Sequence, residues 1–173
     1  MSLRIRSIVA LLVGVGCATA GGRSANTPAI RTDRDRYALN DSAGIARLTI
    51  RMRYTNFADR PVYLPTCRGP QPPRLEKRVG DEWVVAYAPV VPFCLGVPLT
   101  VRPGDSFDYN FAILAGMPGT SFAPRFTVAD VPGKYRVLWE AFFATNADPT
   151  RPTEVHDPVP LPQRISNEFE IVR

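Results

Sequence analysis

Histidine is nearly absent from this sequence, and the short motifs that carry a catalytic mechanism are missing with it. His156 is the single histidine in 173 residues, and three cysteines are present. There is no glycine-rich phosphate loop, no C-x-x-C pair and no helix-borne pair of histidines. A catalytic triad would have to use His156, and an exposed loop histidine explains it more simply. We therefore predict a non-enzymatic protein without a cofactor or metal.

A weaker alternative is a hydrolase or metal-dependent enzyme centred on His156. The proline-rich stretch TEVHDPVP places Glu154 and Asp157 beside this histidine, and Asp148 lies a few residues upstream. Carboxylates and imidazole are common metal ligands. No second cluster of ligands supports them, so no metal site is predicted.

Long hydrophobic runs are also missing. The longest, IVALLVGV at residues 8–15, is shorter than the roughly 20 apolar residues of a membrane-spanning helix. It follows two arginines, so residues 1–20 are predicted to be a secretory signal. The sequence GVGC resembles a bacterial lipoprotein signal, which implies a lipid on Cys17 and a membrane-anchored protein, periplasmic or on the cell surface. The small residues ATA instead predict cleavage after Ala20 and a freely secreted or periplasmic chain.

The charge balance gives little reason to expect nucleic acid. Removing the two arginines of the signal lowers the 21 Lys and Arg to 19, against 16 Asp and Glu, which leaves +3. Such a mildly basic chain is weak evidence for nucleic-acid binding. No nucleic-acid partner is predicted, and contact with a membrane is expected only through the lipid anchor.

Two cysteines remain outside the signal, Cys67 and Cys94. An even pair in an oxidising compartment predicts a disulfide, whereas two buried free thiols are the alternative. In the chain-entropy model, a bridge between them would contribute on the order of 3.5 kcal/mol to stability.

The remaining pattern is that of an all-β domain over residues 30–173, preceded by a flexible tether at residues 21–29. Proline accounts for 18 of 173 residues, about twice ordinary usage, and it interrupts helices and central strands. Apolar residues alternate with polar ones, and no segment after the signal shows a helical period. Residues 30–39 are expected to form one polar edge strand, and Gly80-Asp81 to form the turn of a hairpin after residues 75–79. We predict an antiparallel β-sandwich of about seven to nine strands. Its predicted core consists of Leu48, Ile50, Met52, Tyr54, Trp83, Phe107, Tyr109, Phe111, Tyr135, Val137, Trp139 and Phe169.

Strict alternation in RLTIRMRYTN, residues 47–56, places Arg47, Arg51 and Arg53 together on the face opposite the core. These arginines either bind an anion or form the solvated face of a half-buried sheet. Cross-strand ion pairs stabilise such a face without a ligand. We favour the solvated face and expect four acidic partners from nearby strands: Asp108, Glu140, Glu168 and Glu170.

The segment ADVPGKYRV contains the most specific fold motif. Asp130, Gly133 and Tyr135 form D-x-x-G-x-Y, which is similar to the tyrosine corner of immunoglobulin-like sandwiches. The segments LEKRVGDEWV, LTVRPGDSFDYNFAI and VPGKYRVLWEAF follow one another in an order that resembles the immunoglobulin-like, fibronectin III-like domains of bacterial secreted proteins and lipoproteins. The chain is loosely similar to the intracellular proteinase inhibitor family of bacilli. These resemblances imply an immunoglobulin-like sandwich and transfer no catalytic residue.

Residues 86–101 are the candidate working surface. They contain no charge, three prolines and Cys94. Val90, Val91, Phe93 and Leu95 either face a partner from a stiff loop, which lowers the entropy lost on binding, or fold inward to close one end of the sandwich. We predict an exported binding or interaction module of the bacterial cell envelope, whose partner is an unknown envelope protein or polymer. A proteinase inhibitor that presents this loop to a protease is the alternative.

Overall fold

The computed structural model describes residues 27–91, 96–145 and 155–173. The signal at residues 1–20 and most of the tether lie outside this part. Within it the chain is all-β, as predicted: it forms thirteen strands and one turn of 3₁₀ helix, Leu161–Gln163. No helix among these residues is long and apolar enough to cross a membrane. The strands outnumber the seven to nine expected because several have only three or four residues.

Sheet A is built around one long antiparallel pair. Strand β4 pairs with β9 along its whole length, from Ile45 opposite Gly116 to Thr55 opposite Ser106. The short strands β1 and β3 also pair with β4. The turn between β3 and β4 uses positive φ angles at Ala43 and Gly44, which a two-residue hairpin requires. The four strands are β1 (Ile30–Thr32), β3 (Asn40–Ser42), β4 (Ile45–Thr55) and β9 (Ser106–Gly116).

Sheet B has five strands in the order β2-β13-β10-β6-β7. All its pairs are antiparallel except β2 with β13, which run parallel. The predicted hairpin at Gly80 joins β6 to β7, and Gly80 has a φ of 59°. The strands are β2 (Arg36–Ala38), β6 (Arg74–Val79), β7 (Glu82–Tyr87), β10 (Gly133–Leu138) and β13 (Phe169–Val172).

Sheet C is a smaller antiparallel sheet in the order β12-β11-β5-β8. Strand β5 leads into the loop around Cys67, and β8 follows the exposed part of residues 86–101. Its strands are β5 (Val62–Leu64), β8 (Leu99–Val101), β11 (Phe142–Thr145) and β12 (Val155–Pro158).

One prediction about the strands was wrong. Residues 30–39 were expected to form a single edge strand, but they divide between two sheets. Strand β1 pairs with β4 of sheet A, whereas β2 pairs with β13 of sheet B. The polar residues between them, which include Asp33 and Asp35, carry the chain from one sheet to the other.

The core is one cluster of buried side chains drawn from all three sheets. Trp139 lies among the rings of Tyr109, Phe107 and Tyr54, at centroid distances of 4.9, 6.2 and 6.5 Å. Phe107 and Tyr109 are partly buried against the cluster. The predicted core residues that are buried are Leu48, Ile50, Met52, Tyr54, Phe111, Tyr135, Val137, Trp139 and Phe169.

Trp83 was wrongly predicted to be a core residue. It is half-buried outside the cluster, and the guanidinium of Arg136 lies 4.5 Å from its ring centroid. The cause is a β-bulge between β6 and β7: Val85 lies opposite Glu76, but Tyr87 lies opposite Leu75. The extra residue reverses the alternation, so Trp83 faces outward although Tyr87 faces inward.

Candidate functional site

The outer face of sheet A carries a row of arginines. Arg47, Arg51 and Arg53 are exposed on β4, as the alternation predicted, while the intervening side chains are buried. Arg31 of β1 lies directly opposite Arg53. We call these four residues the arginine face. The sequence analysis did not assign Arg31 to this face, because residues 30–39 were predicted to form one edge strand. The alternation of Arg31 with the apolar Ile30 was the signal that could have identified it.

Arg53 has the one cross-strand acidic partner that was correctly predicted. Its Nε and Nη2 donate to Asp108 Oδ1 and Oδ2 at 2.6 and 2.9 Å, and the two residues lie directly opposite each other on β4 and β9. These hydrogen bonds lower the pKa of Asp108 and raise that of Arg53. The result is a planar, two-bond ion pair at one side of the arginine face.

The other three predicted acidic partners lie elsewhere, so this part of the prediction was wrong. Glu140 follows β10, Glu168 precedes β13 and Glu170 lies in β13; both strands belong to sheet B, whereas β4 belongs to sheet A. They form ion pairs on that sheet instead: Glu170 with Arg36 at 2.8 Å, Glu168 with Arg78 at 3.9 Å, and Glu140 with Arg164 and Arg74 at 2.6 and 3.8 Å.

The arginine face is therefore incompletely neutralised. Among the described residues, no carboxylate lies within 4.0 Å of the guanidinium of Arg31, Arg47 or Arg51. Asp33 is nearby, but it accepts the Tyr37 hydroxyl at 2.6 Å and lies 3.6 Å from Arg34. Burial, followed by this hydrogen bond, raises the pKa of Tyr37 to about 12.

A shallow depression of about 460 Å³ lies at this face. It crosses β1, β4 and β9, so three adjacent strands contribute to its surface. Because Arg51 lies opposite Asn110, a side-chain amide is added to the guanidinium groups. Its lining residues are Arg31, Thr32, Asp33, Arg51, Met52, Arg53, Asp108, Tyr109 and Asn110.

A second surface lies on residues 86–101. Val97 is 90 % exposed, Val90 is 73 % exposed and Val91 is 38 % exposed. Because these valines are exposed, the alternative in which residues 86–101 fold inward does not apply to them. Phe93 and Leu95, the other two candidate residues, lie outside the described part of the chain.

Hydrogen bonds fix one end of this segment to the loop around Cys67. Gly96 N donates to Thr66 O at 2.9 Å, and Thr66 Oγ1 donates to Val97 O at 2.7 Å. A Cβ on Gly96 would lie 2.4 Å from Thr66 Oγ1, so the approach requires glycine. Cys94 lies outside the described residues, and the Cys67–Cys94 disulfide stays a prediction.

The D-x-x-G-x-Y motif lies at the start of β10. Tyr135 is fully buried, and its hydroxyl donates to the carbonyl oxygen of Val131, four residues upstream. Burial is the main cause that raises the pKa of Tyr135. Lys77 Nζ donates to the carbonyl oxygen of Asp130. Each residue of the motif therefore has a structural role in the entry to this strand.

The structure describes only part of the surroundings of the single histidine. His156 lies in β12 with its backbone opposite Ala144, and its side chain is outside the described part, as are Glu154 and Asp148. Asp157 Oδ2 lies 2.9 Å from Arg60 Nη2. Within the described ranges, no three potential metal-ligating residues come together.

Comparison with protein-family models, curated proteins and solved structures finds no match for this chain. No residue role is therefore carried over from a relative. The class that the structure defines is an all-β protein of antiparallel and mixed sheets. The two surfaces described above, the arginine face and residues 86–101, are the candidate sites of its function.

Proposed function

We propose that this chain is an exported, non-enzymatic binding module with an immunoglobulin-like sandwich fold, which contacts a protein of the bacterial cell envelope through residues 86–101. The observation that carries the proposal is the exposure of Val97, Val90 and Val91 on one uncharged segment. Exposed apolar side chains concentrated in one segment are typical of an interaction site.

The fold part of the proposal is supported by two features. Sheets A and B contribute to one shared core, as two layers of a sandwich do. The Tyr135 hydroxyl bonds to backbone upstream of its own strand, as in a tyrosine corner. The parallel pairing of β2 with β13 is compatible with such a sandwich, because β2 is an edge strand of sheet B.

The anchoring of the segment supports its role in binding. The two hydrogen bonds between Thr66 and residues 96–97 hold the backbone next to the most exposed valine. A loop that is ordered before binding loses less conformational entropy when the partner arrives. A disulfide between Cys67 and Cys94 would restrict the same region further.

The test is capture of partners from the native envelope with the wild-type protein and the double variant Val90→Asp/Val97→Asp. We expect a discrete partner that the wild type and the control Val79→Asp retain and the double variant loses. Val79 is a suitable control because it is 53 % exposed but lies on β6. Equal capture by all three proteins would contradict the proposal.

A proteinase inhibitor is the second candidate, and one observation favours it. Val97 protrudes directly after the fixed Gly96, so a protease could reach an exposed backbone that is held in place. The test is residual activity of a panel of proteases with the wild-type protein, with Val97→Asp and after reduction of disulfides. Inhibition that Val97→Asp abolishes supports this candidate, and no inhibition of any protease discards it.

Export and anchoring are tested by intact-mass analysis of protein isolated from its native membranes. Lipid on Cys17 would support the lipoprotein, and a mature chain that begins at Gly21 would support cleavage after Ala20. The same spectrum tests the Cys67–Cys94 bridge, which would remove two hydrogens. An uncleaved N-terminus would contradict export through this signal.

A further inference from the structure

We propose that the arginine face binds a phosphate group, held between Arg31 and Arg51 beside the Arg53–Asp108 pair. This site lies on sheet A and is independent of the proposed contact through residues 86–101. Three observations support this site: the charge balance of the face, the register of its strands and the difference from sheet B.

On sheet B, the arginines are paired with carboxylates of the same sheet or its flanking residues. Arg136 and Glu76 lie opposite each other with 2.7 Å between Nη2 and Oε2, and both side chains are largely buried. Arg36 and Arg78 also have carboxylate partners on that sheet. Sheet B therefore compensates its arginines internally. On sheet A, no carboxylate of the described residues lies within 4.0 Å of the guanidinium of Arg31 or Arg51, although the backbone N–H of Asp33 donates to Arg51 O at 2.9 Å.

The charged side chains around the depression have an excess of positive charge. Three arginines and two carboxylates line it: Arg31, Arg51, Arg53, Asp33 and Asp108. Asp108 pairs with Arg53 at 2.6 Å, and Asp33 pairs with Arg34 outside the lining at 3.6 Å. Two positive charges, on Arg31 and Arg51, are left over. A phosphate monoester carries about −1.5 to −2 charges near neutral pH, which matches that excess with a single group.

The strand register brings the two arginines to the same place. Arg31 lies opposite Arg53 on the neighbouring strand, and neighbouring strands are about 4.8 Å apart. Arg51 is two residues from Arg53 along β4, a separation of about 7 Å. Like charges directly opposite each other destabilise a sheet, and Asp108 compensates only one of them. A phosphate bound between the guanidinium groups would relieve this repulsion, because each planar guanidinium can donate two hydrogen bonds to its oxygens.

The experiment titrates the full-length protein with pyrophosphate at physiological ionic strength and follows heat and melting temperature. We expect binding that raises the melting temperature, because the ligand stabilises the folded state that carries the site. In Arg31→Gln/Arg51→Gln, we expect affinity to fall at least about tenfold, since two charged hydrogen-bonding groups are lost. Absence of binding to the wild type at this ionic strength would overturn the proposal.

The matched control is Arg36→Gln/Arg78→Gln, which removes two exposed arginines from sheet B. Its affinity for pyrophosphate should stay within about twofold of wild type; an equal loss would overturn the site by showing that net charge alone is responsible. Melting without ligand verifies that both variants fold. Succinate, a dicarboxylate, tests whether the site prefers phosphate over other anions. If the protein binds succinate as tightly as pyrophosphate, the assignment to phosphate is overturned.

A further arm identifies the source of the phosphate. Phosphatidylcholine vesicles with and without phosphatidic acid are mixed with the wild type and with both double variants. Capture by phosphatidic acid that Arg31→Gln/Arg51→Gln abolishes and Arg36→Gln/Arg78→Gln retains would support a lipid headgroup. Binding of pyrophosphate without capture by either kind of vesicle would support a free or polymer-borne phosphate.

Discussion

A Cβ atom on Gly133 would lie 2.8 Å from Lys77 Cε, because the lysine side chain crosses the backbone at the first residue of β10. Lys77 then donates from Nζ to the carbonyl oxygen of Asp130. Gly133 also has a φ of 142°, a region that side chains rarely adopt. Both the space and the backbone conformation therefore require glycine in the D-x-x-G-x-Y motif.

Replacing Gly133 with alanine should be strongly destabilising. The strained φ angle costs about 1–3 kcal/mol and the steric overlap with Lys77 a further 1–3 kcal/mol. We expect the free energy of unfolding, measured by urea titration, to fall by about 2–6 kcal/mol. Gly80→Ala is the control, because Gly80 has a φ of 59° and nothing within 4 Å of its Cβ position. A loss no larger than that of Gly80→Ala would contradict the steric argument.

The two contributions can be separated with Lys77→Ala. In the double variant Lys77→Ala/Gly133→Ala the overlap disappears and the backbone strain remains. The double variant should therefore be more stable than the sum of the two single losses predicts, by about 1–3 kcal/mol. Additive losses would show that Lys77 does not press on this position.

Tyr135→Phe tests the hydrogen bond of the tyrosine motif. The variant keeps the buried ring but leaves the carbonyl oxygen of Val131 without the hydroxyl donor. We expect a loss of about 1–3 kcal/mol in the free energy of unfolding. Tyr54→Phe is the matched control, because its ring is equally buried and its hydroxyl forms no hydrogen bond with the described residues. If the two variants are equally stable, the hydrogen bond has no structural importance.

Local alternation explains how much of the fold could be predicted. The seven core residues predicted in β4 and β9 all face inward, because a strand with one buried face alternates with a period of two. Trp83 was misplaced because a bulge leaves no trace in the apolar pattern of EWVVAY. Sheet membership is a long-range property, which explains why residues 30–39 were assigned to one strand.

The same limit applies to the arginine face. Alternation correctly placed Arg51 and Arg53 on the outer side, and the opposite position of Asp108 was anticipated. The partners of Glu168 and Glu170 could not be anticipated, because they depend on which strand lies beside β13. The free charge on Arg31 became visible only with the register of β1 against β4.

The two tryptophans should differ sharply in their contribution to stability. Trp139 is 1 % exposed, contacts three aromatic rings and donates from Nε1 to Gln71 O at 2.8 Å. Trp139→Ala should cost about 3–5 kcal/mol. Trp83→Ala removes a half-buried ring beside Arg136, and it should cost about 1 kcal/mol. Urea unfolding measures both, and a larger loss for Trp83→Ala would contradict the position of the core.

Alkaline pH should unfold the protein through its buried tyrosines. Burial raises the pKa of Tyr54 to about 12, from 10.0 in the unfolded chain. Between these values the unfolded chain releases the proton and the folded chain retains it, so stability is complete below pH 10 and falls as pH rises. At pH 11 Tyr54 alone should have lost about 1.4 kcal/mol of its contribution.

Tyr54→Phe isolates this contribution, because phenylalanine has no proton to release. Between pH 8 and pH 11, the free energy of unfolding of the wild type should fall by about 1.4 kcal/mol more than that of Tyr54→Phe. All other titratable groups are the same in both proteins, so their contributions cancel in the difference. Parallel curves for the two proteins would contradict the rise of the Tyr54 pKa through burial.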